Sequence, residues 1–236
     1  MYSNKQIARS AGFLYLLLIL FGVYAEKYVR NSLVDVDNAA QTALNITNNA
    51  MLFRMGFVAD LLMQLTYFLL PIVLYQLFKK TNRAMAGFMV LCVTTAVAIM
   101  SSNMLNHYAP LLMLDKNGFS NAFNVDQIHS SVLLYLQMHT IGYCIAQLFF
   151  GLWLLPLGYL VVRSGQFPKI IGILLMMGCA GYLIDFMIYF LFPGHSSTLT
   201  QYITAPADLG EFSLCLYLLV RGVKGSHLTI SSKSTE

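Results

Sequence analysis

Four carboxylates and a histidine occupy positions where such groups are rare, inside long apolar stretches: Asp60, His139, Asp185, Asp208 and Glu211. Arg54 precedes Asp60 by six residues, about 9 Å along a helix, and Tyr143 follows His139 by one turn. A charge at the middle of a membrane helix costs about 2.5–3.5 kcal/mol on insertion scales, so such groups face a bundle interior and often mark function. Three chemistries suit this set. The acids, Asp185 and Glu211 above all, could hold a cationic or amphipathic small molecule or relay protons. His139 with Asp60, Asp185 or Glu211 could pair a general base with an orienting acid, or share a metal with His107. Arg54 with Asp60, and His139 with Asp185, could also be plain ion pairs that fix helix register, since polar contacts between membrane helices contribute roughly 0.6 kcal/mol each. Two surplus acids, once Arg54 and His139 are paired off, favour a ligand, proton or cation in the site. No metal or cofactor is expected.

The spacing around these residues gives each one a helix face. Gln127, Ser131, Tyr135, His139, Tyr143 and Gln147 recur every four residues and share one face. Asp60, Gln64 and Tyr67 share another, as do Gly178, Tyr182, Asp185 and Tyr189, and Asp208, Glu211 and Cys215. Asn103, Asn106 and His107 gather near one end of a further stretch, and Glu26 near the end of the first. A buried polar stripe needs partners, because an unpaired polar group in a dry medium costs several kcal/mol.

Composition supplies the solvent those helices need. Of 236 residues, 58% are hydrophobic and 10% charged, with a mean hydropathy of +0.66. A soluble domain carries about 25% charged residues. The expectation is an all-α, polytopic membrane helical bundle with six transmembrane helices, at about 10–29, 52–78, 84–114, 131–162, 170–192 and 199–220. They form one domain over 1–224, followed by a disordered cytoplasmic tail over 225–236. Lys5 and Arg9 before the apolar run Ala11–Val23, with Val23-Tyr24-Ala25 after it, also fit a signal peptide; the charge pattern downstream favours a retained helix. The polar segment Asn31–Asn49 suits a short helix at the membrane surface.

Basic residues set the orientation. With the N-terminus inside, ten of the fourteen fall on the inner side: Lys5, Arg9, Lys79, Lys80, Arg83, Arg163, Lys169, Arg221, Lys224 and Lys233. An even number of spans returns the C-terminus to that side, giving an N-in/C-in bundle. The ionisable residues then gather toward the outer side and leave the inner halves of the spans nearly devoid of them, which implies an outer-facing polar cavity. The net charge of +4 is scattered over loops, which suits anionic lipid and not nucleic acid. The four cysteines, Cys92, Cys144, Cys179 and Cys215, lie apart in apolar stretches and signal neither disulfide nor zinc. The triplet Asn45-Ile46-Thr47 fits a glycosylation acceptor, a pattern common by chance. No HExxH or GxSxG signature accompanies the histidines.

The run His139-Thr140-Ile141-Gly142, then Phe149-Phe150-Gly151-Leu152, Gly158-Tyr159-Leu160, Arg163-Ser164-Gly165, Pro168, Gly172 and Gly181-Tyr182-Leu183-Ile184-Asp185 resembles the integral-membrane family called domain of unknown function 4386. Arg9 with Ala11-Gly12 and Tyr15, Leu52-Phe53-Arg54 before Asp60, and Glu211 before Leu218-Leu219-Val220 are similar too. The resemblance implies a bacterial or archaeal inner (plasma) membrane and an uncut first helix, and brings no activity with it. The sequence therefore leads to a multi-pass protein that binds or transports a small cationic or amphipathic ligand from the outer side. A structural or accessory subunit and a lipid-modifying enzyme using His, Asp and Glu are the alternatives. Its partners would be the bilayer and that small-molecule or lipid ligand, and its oligomeric state stays open.

Overall fold

A computed structural model describes residues 3–115, 118, 122–192 and 197–223. The expected tail over 225–236, the Lys116-Asn117 loop and most of the 193–197 turn lie outside the described residues. Nine α-helices and no strand are found among the described residues: α1 (Asn4–Val23), α2 (Asn31–Leu33), α3 (Ala39–Asn48), α4 (Ala50–Phe78), α5 (Arg83–Met113), α6 (Val125–Leu152), α7 (Leu154–Ser164), α8 (Lys169–Leu191) and α9 (Ser197–Val220). A π-helical segment, Tyr24–Arg30, joins α1 to α2. Six continuous helical runs are long and apolar enough to cross a membrane, the first reaching from Asn4 to Leu33 and the fourth from Val125 to Ser164. Both exceed the lengths read from hydropathy, because their polar ends keep helical geometry beyond the apolar stretch.

Local chemistry explains the boundaries. Ser3 and Gln6 form a capping box at the start of α1, and Asn124 and Gln127 form another at the start of α6. Asn38 and Asn82 each accept a backbone N–H at the start of α3 and α5. Such caps satisfy amide groups that have no partner within the helix. Gly165, with φ of 66°, ends α7 in the left-handed conformation. The break between α6 and α7 falls at Trp153, where Pro156 has no N–H for the Leu152 carbonyl. Pro71, Pro110 and Pro206 sit within continuous helices.

The long helices form a closed ring. α1 packs on α4, α4 on α5, α5 on α6, α6 and α7 on α8, α8 on α9, and α9 returns to α1. The short α7 also touches α5 across the ring, so it plugs the end that holds the basic turns after α4 and α7. That half is filled by a large apolar core including Tyr15, Leu70, Leu74, Met89, Trp153 and Leu157. A smaller core at the opposite end joins Val29, Phe53, Leu111 and Leu136 with the surface helix residue Ile46 and draws nothing from α8 or α9. The buried residues Asp60, Gln64, Asn103, His107, His139, Gln147 and Asp185 belong to neither apolar core. Outward faces are apolar, as at Leu91, Leu105 and Tyr202, which are 66%, 77% and 77% exposed.

Helix contact is closest at glycine. A Cβ added at Gly178 would lie 2.6 Å from Ala207 of α9, and one at Gly181 would collide with the Ile203 carbonyl. A Cβ at Gly87 would meet nothing within 4 Å. Gly178→Ala is therefore expected to cost about 1–3 kcal/mol by overpacking, whereas Gly87→Ala is expected to be neutral or to gain up to about 1 kcal/mol of helix propensity. Thermal unfolding of the two variants in detergent checks this. Equal melting temperatures would refute the close α8–α9 contact.

Candidate functional site

The charged centre of the bundle is built around Asp60, which is 2% exposed. Its partner is Arg30, not Arg54: Arg30 Nη1 donates to Asp60 Oδ2 at 2.5 Å. Arg30 Nε also donates to Glu26 Oε2 at 2.8 Å, and Nη2 lies 2.7 Å from the same oxygen. The sequence expectation of an Arg54–Asp60 pair fails on geometry. Six residues along an α-helix turn a side chain by about 240°, onto another face. Arg54 instead donates to the Tyr108 hydroxyl at 3.3 Å on the exposed side. Arg30 reaches inward because the π-helical segment widens the turn that carries Glu26 and Arg30. Val29 of that segment packs directly over Gly56, where a Cβ would come within 2.7 Å.

His107 completes the centre. Its Nδ1 lies 3.3 Å from Asp60 Oδ2 and 3.5 Å from Arg30 Nη1. The ring is fully buried, edge-on to Phe53 at 4.8 Å between centroids, and its Nε2 has no partner. The sequence places His107 near one end of its apolar stretch, and the fold buries it there completely. His139 stands beside it with ring centroids 4.9 Å apart. His139 Nδ1 lies 3.4 Å from the Asn103 carbonyl, and Asn103 Nδ2 donates to the His139 carbonyl at 2.7 Å. Gly142 makes that exchange possible, since a Cβ there would overlap the Asn103 amide. One turn from Asp60 on α4, Gln64 is 3% exposed and neither of its amide atoms has a partner.

The expected His139–Asp185 pair is not formed either. Asp185 accepts from Gln147 Nε2 at 2.6 Å and from Thr200 Oγ1 at 2.7 Å, a neutral satisfaction of a buried carboxylate. Glu211 accepts from the Tyr15 hydroxyl at 2.7 Å. Tyr15 and Tyr67 each pack on Trp153, at 6.0 and 5.4 Å between centroids, while Tyr67 and Tyr182 lie within electrostatic range of Glu211. Asp208 is exposed and forms no ion pair among the described residues. Tyr143 is 41% exposed, and its ring meets Phe150 at 5.6 Å.

The residues singled out from sequence thus separate into three groups. Asp60 and His139 meet through His107; Asp185 and Glu211 each have their own neutral partners; Arg54, Tyr143 and Asp208 are exposed and join neither group. Arg30, Gln64 as an orphan, Tyr15 and Thr200 were not singled out. An i, i+4 Glu26–Arg30 spacing was the available signal for the first of these. Among the described residues no group of three His, Cys, Asp or Glu is arranged to hold a metal ion.

The chain belongs to the family described as Domain of unknown function (DUF4386), whose profile matches residues 10–222. A protein of Archaeoglobus fulgidus described as "Uncharacterized protein" is 31% identical over 102 residues, covering 43% of this chain and 56% of the relative's length. The chain therefore spans little more than half of that relative. No solved structure matches.

Asp60→Asn is expected to destabilise the protein by about 3–5 kcal/mol, because it leaves Arg30 facing the interior without its buried counter-charge. Arg54→Gln, which removes an exposed contact, is expected to change stability by less than about 1 kcal/mol. Melting temperatures in detergent separate the two. A larger loss for the Arg54 variant would restore the pairing read from sequence.

Proposed function

We propose that this member of the family binds a small organic cation, or an amphipathic molecule with a cationic head, in the polar layer between the two apolar cores. The observation that carries the reading is the Glu211 carboxylate, held by one tyrosine hydroxyl over a floor of Tyr15, Tyr67 and Trp153. Glu211, Asp185 and Asp208 form no ion pair among the described residues. A carboxylate beside several aromatic faces suits an organic cation, since cation–π attraction reaches about 2 kcal/mol or more when desolvated. Tyr143, although 41% exposed, lies within electrostatic range of Glu26, Arg30 and Asp208. Its ring, which meets Phe150, would add a further aromatic face to the site. The plug of α7 and the large core favour a blind site over a continuous pore.

Orientation follows from the basic turns. Lys79, Lys80, Arg83, Arg163 and Lys169 lie at one end, which supports a reading with the N-terminus and the end of α9 on the cytoplasmic side of an inner (plasma) membrane and the site facing outside. The whole of 1–224 acts as one transmembrane domain. A lipid-modifying enzyme is the second reading. It is favoured by one observation, the buried His107 with Nδ1 toward Asp60 and Nε2 unpartnered, and it would make His107, not His139, the base.

Trp153 is the single tryptophan of the chain, so its fluorescence reports on the floor of the site. A panel of quaternary ammonium compounds with neutral isosteres is expected to change that emission saturably for the cations alone. Glu211→Gln is expected to weaken the apparent Kd at least tenfold, about 1.4 kcal/mol. A flat response to every cation, or an unchanged Kd in the variant, would sink this reading.

A further inference from the structure

A second site lies on the outside of the ring, at the plugged end and away from the polar layer. Ile72 and Tyr75 of α4 face Gly87, Val90 and Leu91 of α5 across an apolar groove of about 390 Å³. Leu91 is 66% and Ile72 41% exposed, so the groove opens outward. Gly87 makes the groove, and nothing inside the protein accounts for it. A Cβ there meets nothing within 4 Å, yet glycine in a helix interior is about 1 kcal/mol less favourable than alanine. The other helical glycines with close neighbours, such as Gly178, answer to an adjacent helix; Gly87 answers to no part of the chain.

Directly beyond the groove, toward the nearer end of both helices, is a cationic turn. Lys79 lies one turn past Tyr75 on α4, and Arg83 one turn before Gly87 on α5. Lys79, Lys80 and Arg83 are all exposed, and none forms an ion pair among the described residues. The sequence holds no acidic residue between Asp60 and Asp115. Lys79 Nζ donates only to Gln76 Oε1, at 2.5 Å. Arg83 stands in the first turn of α5, where the helix dipole disfavours a cation and favours an anion. Three unanswered cations at the membrane boundary, with an apolar channel leading from them along the helices, match one kind of molecule end to end.

We propose that the α4–α5 groove is a binding site for an anionic phospholipid. One acyl chain lies over Gly87 between Ile72, Tyr75 and Leu91, and the phosphate head rests on Lys79, Lys80 and Arg83. The charge complementarity selects a lipid over a second copy of the chain, whose outward faces are apolar and whose basic turn would repel its own kind. The site is independent of the cation cavity, and it serves to fix the protein's depth and its lipid neighbourhood.

The test is native mass spectrometry of the delipidated full chain after adding phosphatidylglycerol or phosphatidylcholine at equal concentration. Wild type is expected to retain phosphatidylglycerol at least tenfold more than phosphatidylcholine. Gly87→Phe, which projects a ring into the groove from a position where a Cβ meets nothing within 4 Å, is expected to lose that lipid with an unchanged melting temperature. Replacing Lys79, Lys80 and Arg83 together by Gln is expected to abolish the headgroup preference. Equal retention of the two lipids by wild type, or undiminished retention by Gly87→Phe, overturns the site. A dimer present in wild type and absent in Gly87→Phe also overturns it, in favour of a second copy.

Discussion

One oxygen atom organises the half of the bundle opposite the basic turns. Asp60 Oδ2 accepts from Arg30 and lies within 3.3 Å of His107 Nδ1, so it ties the first, second and third membrane helices at a single point. His107 passes the constraint to His139 on α6 through ring contact, and Asn103 passes it again through the His139 carbonyl. In hydrocarbon a charge has no water to fall back on, so each member of this chain must be met by another. The smaller apolar core can then afford to be small, because the helices above it are already fixed by charge.

The remaining half relies on a different force. There the helices approach through glycine and interdigitate around Trp153, Leu157 and Leu70, with no charged group among the buried residues of that core. The polar layer is the seam between these two regimes. Two of its acids are met by neutral groups, Glu211 by the Tyr15 hydroxyl and Asp185 by Gln147 and Thr200 together.

Much of this was legible in the sequence. Hydropathy was enough for six spans, and helical spacing placed Asp60, Gln64 and Tyr67, or His139 and Gln147, on shared faces that the fold does turn inward. Pairing was not legible. Spacing along one helix says which face a residue takes and nothing about which neighbour faces it, so Arg54 looked a better partner for Asp60 than Arg30, thirty residues away. His139 and Asp185 failed as a pair for a related reason. Gln147, two turns further along α6, is the residue level with Asp185. The break at Trp153 was foreshadowed by Pro156, but the π-helical segment had no signal in residue types, since Tyr24-Ala25-Glu26-Lys27 suits an ordinary helix equally well.

That segment makes chain length itself part of the charge centre. A π-helix closes its bonds over five residues in place of four, so Tyr24–Arg30 holds more chain for the same rise than α-helix would. Each residue of an α-helix turns by about 100°. Two relatives sharing Glu26, Arg30 and Asp60 but differing by one residue between Val23 and Asn31 would therefore aim their guanidinium groups in different directions. Identity at those three positions is not sufficient to carry the site from one relative to another; the count of residues between them must match as well.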